Sequence, residues 1–401
     1  MASDEQREEQ RVDEKRVLDL CEQLLAKHDP ATTPPEVFLG AQFDLGLAWV
    51  HFREGDGGLG LSPSVQNIVN ARLNQAKAPS PYGRNPIGYG MGAPTVATHG
   101  SEIQRKRYLR PLFTGEEIWC QLFSEPGAGS DVAGLSTRAV RDGDEWVVNG
   151  QKVWTTLAHV ARFGMLIART DPDAPKHKGL TYFVVDMKAP GVEVRPLVQI
   201  TGEAEFNEVY FTDVRIPDDE RLSDVGEGWR VSITTLMNER VSIGGTVNPR
   251  GSGLIATAVH TWLGTDRTDA VARDRLAKLW CEAEALRLTN VRASQNRKRG
   301  TPGPEGSVAK LMMAELNQRI ASFVVNLLGP KAALYDGYTF ERPRHALDLS
   351  TPVKAFLRVQ ANSIEGGTSN IMRNILGERV LGLPGEPRVD KDQPWSAVPR
   401  S

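Results

Sequence analysis

Trp146-Val147-Val148-Asn149-Gly150-Gln151-Lys152-Val153-Trp154-Thr155-Thr156 is the stretch on which the fold turns. Its apolar positions are β-branched or aromatic, the composition of a pleated, half-buried strand. Asn149-Gly150 is the strongest short hairpin signal in the chain, because both residues tolerate the positive φ of a tight turn. Strand-like runs follow at 165–168, 181–185, 192–195 and 208–211. Their even spacing, with turn residues between, predicts a small antiparallel barrel or sandwich over about 119–228. The alternation of strand with helix that a Rossmann sheet requires is missing.

On either side the period changes to that of helices. Upstream, Val17, Leu18, Cys21, Leu24 and Leu25 recur at helical spacing beneath a charged face, and Pro30, Pro34 and Pro35 end that helix. Ser101 and Gln104 form a capping box that opens a helix carrying Tyr108 and Leu109. Residues 78–94 are too rich in Pro and Gly for regular structure and suit a pocket-shaping loop or a connector. Downstream, residues 271–291, 307–328 and 371–380 carry helical periodicity. The order is all-α, all-β, all-α: an N-terminal helical domain over 1–118, a middle β domain over 119–228, a C-terminal helical domain over 229–384 and an extended tail over 385–401. The fold class is thus α+β and multidomain.

Composition bounds the function. Among 401 residues, 48 basic and 50 acidic side chains leave a formal net charge of −2, which disfavours a nucleic-acid binder. The three cysteines, Cys21, Cys120 and Cys281, have no disulfide or metal-ligand spacing, which fits a reducing cytoplasm. The charged N-terminus resembles no signal region, and no run reaches the ~20 apolar residues of a membrane span.

Two glycine-rich stretches invite opposite readings. Gly55-Asp-Gly57-Gly-Leu-Gly60 matches G-x-G-x-x-G, but helix-like sequence precedes it and Ser62-Pro63 follows, so it is an interhelical loop. In Ser124-Glu-Pro-Gly127-Ala-Gly129-Ser130-Asp131 the glycines let backbone amides approach an anion, with hydroxyls at both ends; a plain tight turn fits equally. A lone Trp such as Trp154 is usually core. Beside a glycine-rich anion site, Trp154 with Thr156 would suit a flavin ring and its polar edge.

Together these segments resemble the acyl-CoA dehydrogenase family. Residues 122–134 look like its first signature, 146–156 continue it at the right distance, and Ile364-Glu-Gly-Gly-Thr-Ser-Asn-Ile371 is similar to its C-terminal signature. The resemblance spans about 57–384 and implies the α–β–α architecture, FAD as cofactor, an acyl-CoA substrate and a role in fatty-acid breakdown. By position it implies that Ser124 meets the pyrimidine edge of the flavin and that Gly129 and Ser130 serve the FAD phosphates. Trp154 would pack beside the ring, Thr156 would bond near N5, and Thr368 and Asn370 would lie near the cofactor. It further implies electron transfer to an electron-transfer flavoprotein and a homo-oligomer, dimer or tetramer.

Abstracting a proton α to a thioester carbonyl needs a carboxylate whose pKa burial raises toward neutrality. In much of the family that acid directly precedes Gly-Thr; here the position is Gly366, and Glu365 lies one residue early. A subset resembling the long-chain and isovaleryl enzymes places its Glu on the first helix of the C-terminal domain, where this chain has Glu239, with Arg240 in support. Glu239 is therefore the expected base and Glu365 the alternative. Two segments depart from the family: Gly264–Asp269 replaces a loop that contacts the neighbour's FAD, and Leu328-Gly329-Pro330 replaces a Gly-Gly segment. These departures leave open a non-identical partner or a non-catalytic subunit, while an oxygen-using acyl-CoA oxidase is the alternative chemistry.

Overall fold

The computed structural model describes residues 4–244, 247–298, 303–335, 337, 339–343, 351–387 and 390–399. Six helices come first: α1 (Asp4–Lys27), α2 (Pro35–Asp44), α3 (Gln66–Gln75), α4 (Pro81–Arg84), α5 (Ala93–His99) and α6 (Glu102–Thr114). α1 stops before Pro30 and buries Val17, Cys21 and Leu24, whereas Leu18 stays exposed. α6 opens on the expected capping box: Ser101 accepts from the Gln104 N–H, and the Gln104 side chain accepts from the Ser101 N–H. The segment 78–94 is more regular than its composition suggests. Pro81 and Pro94 begin short helices, where a missing N–H costs nothing, and a π turn joins them. Gly92 packs close to Trp119, at a spot where an added Cβ would stand 3.4 Å from the indole.

Eight strands follow: β1 (Trp119–Leu122), β2 (Arg138–Asp142), β3 (Glu145–Lys152), β4 (Phe163–Arg169), β5 (Leu180–Asp186), β6 (Val192–Pro196), β7 (Asn207–Pro217) and β8 (Arg221–Leu222). They form one sheet in the order β6-β7-β3-β2-β4-β5-β8, with β1 also on β4. The expected antiparallel pattern holds for most pairs, but β1–β4 and β2–β4 are parallel, so the sheet is mixed. β4 is buried along its whole length. Leu166 and Ala168 face a core inside the curled sheet, with Phe183 and Phe211. Met165 and Ile167 face the helices with Tyr108, Leu112 and Trp119. A strand covered on both faces reads as a continuous apolar run, as 163–168 does.

The hairpin lies elsewhere than expected. Gly143-Asp144 is the two-residue turn, with Gly143 at φ 61°, between paired Asp142 and Glu145. Asn149-Gly150 instead lies inside β3, which continues through it with a bulge against β7. Neighbours on both edges, β2 and β7, outweigh the local turn preference. Asn149 bonds the Asp213 carboxylate and backbone N–H at 2.9 and 3.0 Å. Gly150 is needed for close approach: a Cβ there would lie 2.5 Å from Thr137 Oγ1.

The C-terminal helices are α7 (Gly228–Gly244), α8 (Leu254–Leu263), α9 (Ala270–Lys298), α10 (Glu305–Leu328), α11 (Pro352–Arg358) and α12 (Ser369–Arg379). α8, α9 and α10 share a core of Ile255, Trp262, Leu279, Leu316, Ile320 and Phe323. α7 is tied to both other layers through Thr235, whose hydroxyl meets Tyr182 Oη at 3.0 Å and Thr95 Oγ1 at 2.9 Å. Among the described residues no helix is long and apolar enough to cross a membrane. The tail does not trail into solvent. Trp395 and Ser396 donate backbone bonds to the Ala174 and Pro172 carbonyls, Trp395 Nε1 donates to Gly134 O at 3.2 Å, and the Arg169 guanidinium lies 4.4 Å from the Trp395 ring.

Candidate active site

The glycine loop 124–131 hangs on one buried ion pair. Glu125 Oε1 accepts from Lys152 Nζ at 2.8 Å and from the Thr137 N–H at 2.9 Å, while Oε2 accepts from the Ser136 N–H at 2.6 Å. Lys152 is fully buried and also donates to the Phe123 carbonyl at 3.0 Å. Burial alone would raise the Glu125 carboxyl; the Lys152 ammonium and the loop donors outweigh it and hold it below the usual carboxylate range. Neither residue was singled out from sequence. The available signal was a charged residue inside each of two otherwise apolar or glycine-rich motifs.

Beyond this anchor the loop faces open space. Ser124 is half-buried, and Gly127, Gly129 and Ser130 are exposed. A Cβ built on Gly127 or Gly129 would meet no atom within 4 Å, so a ligand has room against both backbones. A cleft of about 460 Å³ adjoins the loop, with Pro126, Gly127, Gly134, Gly150 and Gln151 on one side and Trp395 of the tail on another.

Trp154 sits beside Ser124, because the Val153 N–H donates to the Ser124 carbonyl at 2.9 Å. Its backbone is left-handed, at φ 60°, and Leu157 repeats this at φ 59°. Non-glycine residues there cost about 1 kcal/mol or more each and persist where surroundings impose them. Here Thr155 exchanges backbone bonds with Asn207 at 3.0 Å, and the Leu157 N–H donates to Glu205 O at 2.9 Å. The indole at 154 is 58% exposed and meets the edge of Phe206, with ring centroids 5.9 Å apart. An exposed indole on strained backbone is no core residue. Thr156 is half-buried alongside.

The C-terminal signature closes on the same place. Phe206 carries the Arg358 guanidinium 5.5 Å from its ring, and Arg358 bonds both oxygens of Glu365 at 3.2 and 3.0 Å. Four segments far apart in the chain thus touch in series: Ser124, the Trp154 loop, Phe206, and Arg358 with Glu365. Gly366 and Gly367 follow at φ 62° and 92°, so the turn depends on glycine. Thr368 then caps α12, its hydroxyl accepting from the Ile371 N–H at 3.1 Å, with Asn370 exposed in the first turn.

Of the two candidate bases, Glu365 is already engaged by Arg358 and by Asn362 Nδ2, at 2.6 Å. Glu239 is half-buried on α7, one helical turn beyond Thr235. Both acids act electrostatically on one lysine: burial pulls the Lys310 pKa down, and Glu365 and Glu239 oppose it. Lys310 Nζ donates to the Asn362 and Gly367 carbonyls at 2.8 and 2.5 Å, so this lysine, which feels both acids, sits at the glycine turn. The Arg240 side chain lies outside the described residues.

Comparison with known proteins decides the family. Profiles of the acyl-CoA dehydrogenase N-terminal, middle and C-terminal domains match residues 3–116, 120–214 and 226–381. The chain belongs to the acyl-CoA dehydrogenase family. It is 41% identical over 358 residues to acyl-CoA dehydrogenase FadE34 of Mycobacterium tuberculosis, covering 88% of this chain and 47% of FadE34, so it spans about half of that relative. Acyl-CoA dehydrogenase IpdE1 of the same organism is 38% identical over 346 residues, covering 85% of this chain and 86% of IpdE1. Among solved structures, the Tcur3481-Tcur3483 steroid ACAD superposes with a TM-score of 0.70 at 25% identity, over 92% of this chain and 98% of that one. The ChsE4-ChsE5 complex of M. tuberculosis gives 0.68 at 26%, over 96% and 99%. This acyl-CoA dehydrogenase is an oxidoreductase of a FAD-dependent flavoprotein family.

The residues present fit a flavin nucleotide. Besides the open glycine backbones and the bare indole, the Thr155 and Ser369 hydroxyl oxygens are shut from solvent without a hydrogen-bond partner, one beside Trp154 and one beside Thr368. Both are positions where a polar ligand edge would satisfy an orphaned group.

Proposed function

We propose that this acyl-CoA dehydrogenase converts an acyl-CoA to the trans-2-enoyl-CoA, with Glu239 taking the α-proton. The choice of Glu239 follows the family resemblance of its place on α7 and its half-buried setting there; the observation that supports it is that Glu365 already serves Arg358 and Asn362 as a hydrogen-bond acceptor. FAD, when bound, supplies the two-electron acceptor at N5 to which the β-hydrogen leaves as hydride. The electron pair of the α C–H bond becomes the new Cα=Cβ bond, and the proton ends on the Glu239 carboxylate. Ser124 and Thr156 would hold the polar edge of the ring and Trp154 its face. Gly129 and Ser130 would meet the phosphates, and Thr368 the cofactor from the C-terminal side. Electrons would pass on to an electron-transfer flavoprotein. The acyl group is proposed to carry a ring system, on the likeness to the steroid-acting neighbour.

Anaerobic mixing with straight-chain, branched and steroid-bearing acyl-CoAs, followed by flavin absorbance, tests this reading. Bleaching by at least one class is expected, with reoxidation by electron-transfer flavoprotein outrunning reoxidation by oxygen. Glu239→Gln should keep its yellow colour and lose turnover by about 10³-fold or more, the weight of a positioned general base. Full activity in that variant would remove Glu239 from the mechanism; peroxide formed at the rate of substrate loss would make the protein an oxidase.

Assembly with a non-identical partner is a second reading, favoured by one geometric detail. Arg267, in the loop that departs from the family, turns back onto its own helix and donates to the Leu263 carbonyl at 3.2 and 2.9 Å. An arginine spent on its own helix terminus is poorly placed to serve a neighbour's cofactor, and one structural neighbour is itself a two-chain complex.

A further inference from the structure

We propose that Arg358 is a positioning residue that locks the C-terminal signature turn to the Trp154 loop, with Glu365 as its counter-ion. The inference rests on Glu239 being the base and adds what the second acid is for.

Arg358 is 7% exposed at the end of α11 and spends its guanidinium on two acids from different domains. Nε donates to Glu205 Oε1 at 3.1 Å, and the two terminal nitrogens take Glu365 in a fork at 3.2 and 3.0 Å. A planar fork of this kind fixes direction as well as distance. The Phe206 ring lies 5.5 Å from the guanidinium carbon and meets Trp154 edge-on, so the same arginine backs the indole. One turn earlier, Lys354 pairs with Glu203 at 2.7 Å. Basic residues at i and i+4 on the helix thus meet acids at j and j+2 on the extended segment before β7. Glu365 in turn fixes Asn362, whose carbonyl Lys310 holds together with that of Gly367. The glycine turn has no side chains of its own to set its place; this network supplies the constraint from both ends.

Glu365 is therefore a structural anion. Removing its charge should misplace the turn without removing the proton acceptor. The test uses full-length holoprotein carrying Arg358→Lys, Glu365→Gln or Glu239→Gln, with visible circular dichroism of the bound flavin and single-turnover flavin reduction read in parallel. Arg358→Lys and Glu365→Gln should alter the flavin dichroism and slow reduction by up to about 10²-fold, the cost of a small misplacement, while the pH profile keeps its shape. Glu239→Gln should leave the dichroism unchanged and reduce no flavin. If Arg358→Lys proves insoluble, Glu205→Gln takes its place, because it removes one acid and keeps the fork. Unchanged dichroism with reduction within twofold of wild type in Arg358→Lys or Glu205→Gln overturns the clamp and leaves Glu239 untouched. A Glu365→Gln protein with normal dichroism and no reduction, beside an active Glu239→Gln, overturns the assignment of the base itself.

Discussion

Glu125 and Lys152 lie 27 residues apart and form the ion pair that anchors the glycine loop. Because both are buried, removing one partner leaves an uncompensated charge, which costs about 3–5 kcal/mol. Glu125→Gln should therefore lower unfolding free energy by that amount at neutral pH, measured by urea denaturation; a loss under about 1 kcal/mol would contradict the geometry, given the scale for exposed pairs. The pH dependence follows from the direction of the shift. The Glu125 carboxyl lies lower in the folded protein than in the unfolded chain. Its contribution is complete above the unfolded value, about 4.3, and is lost as pH falls through the folded one. At this scale the sequence was partly legible. Ser124, Trp154 and Thr368 could be named from motifs, whereas Glu125, Arg358 and Lys310 could not, because a charged residue shows its burial only once its neighbours are in place.

Among the elements, the tail and β3 depart most from expectation. Residues 390–399 lie along the loop 171–179: Asp390 pairs with Lys176 at 2.7 Å, and Pro394 bridges Pro175. Lys176 also holds Asp131 of the glycine loop at 2.9 Å, so the tail and that loop share one cation. Deleting residues 390–401 should leave the fold intact and raise amide exchange in 171–179 on the order of tenfold, the worth of one or two hydrogen bonds. Unchanged exchange would mean that the tail covers nothing. Polar, proline-containing sequence announces an extended segment, but where it docks depends on carbonyls and a cation contributed by other elements. For β3, the Asn-Gly pair was a correct local preference overruled by two flanking strands.

At the scale of the whole molecule, several large apolar side chains stand in solvent around the end of α12: Val380 at 48%, Leu381 at 72% and Leu383 at 56% exposed. Contiguous exposure of this kind points to a covering surface on another subunit. The purified protein should accordingly exceed its 44.0 kDa chain mass in light scattering, and Leu381→Glu with Leu383→Glu should shift it to a smaller species. A flavin-loaded monomer would refute self-assembly through this face.

Chain order alone settled the α–β–α sequence of layers, because the hydrophobic period switches from 3.6 to 2 and back, and period is a local property. It also brought the three signatures into view, since each is a contiguous run. How the signature turn is tied to the middle domain belonged to the tertiary structure. Arg358, buried on α11, bonds Glu365 in its own domain and reaches across the domain seam to Glu205. The contact with Glu205 joins residues 153 positions apart, and no pattern along the chain encodes which charges will meet across such a distance.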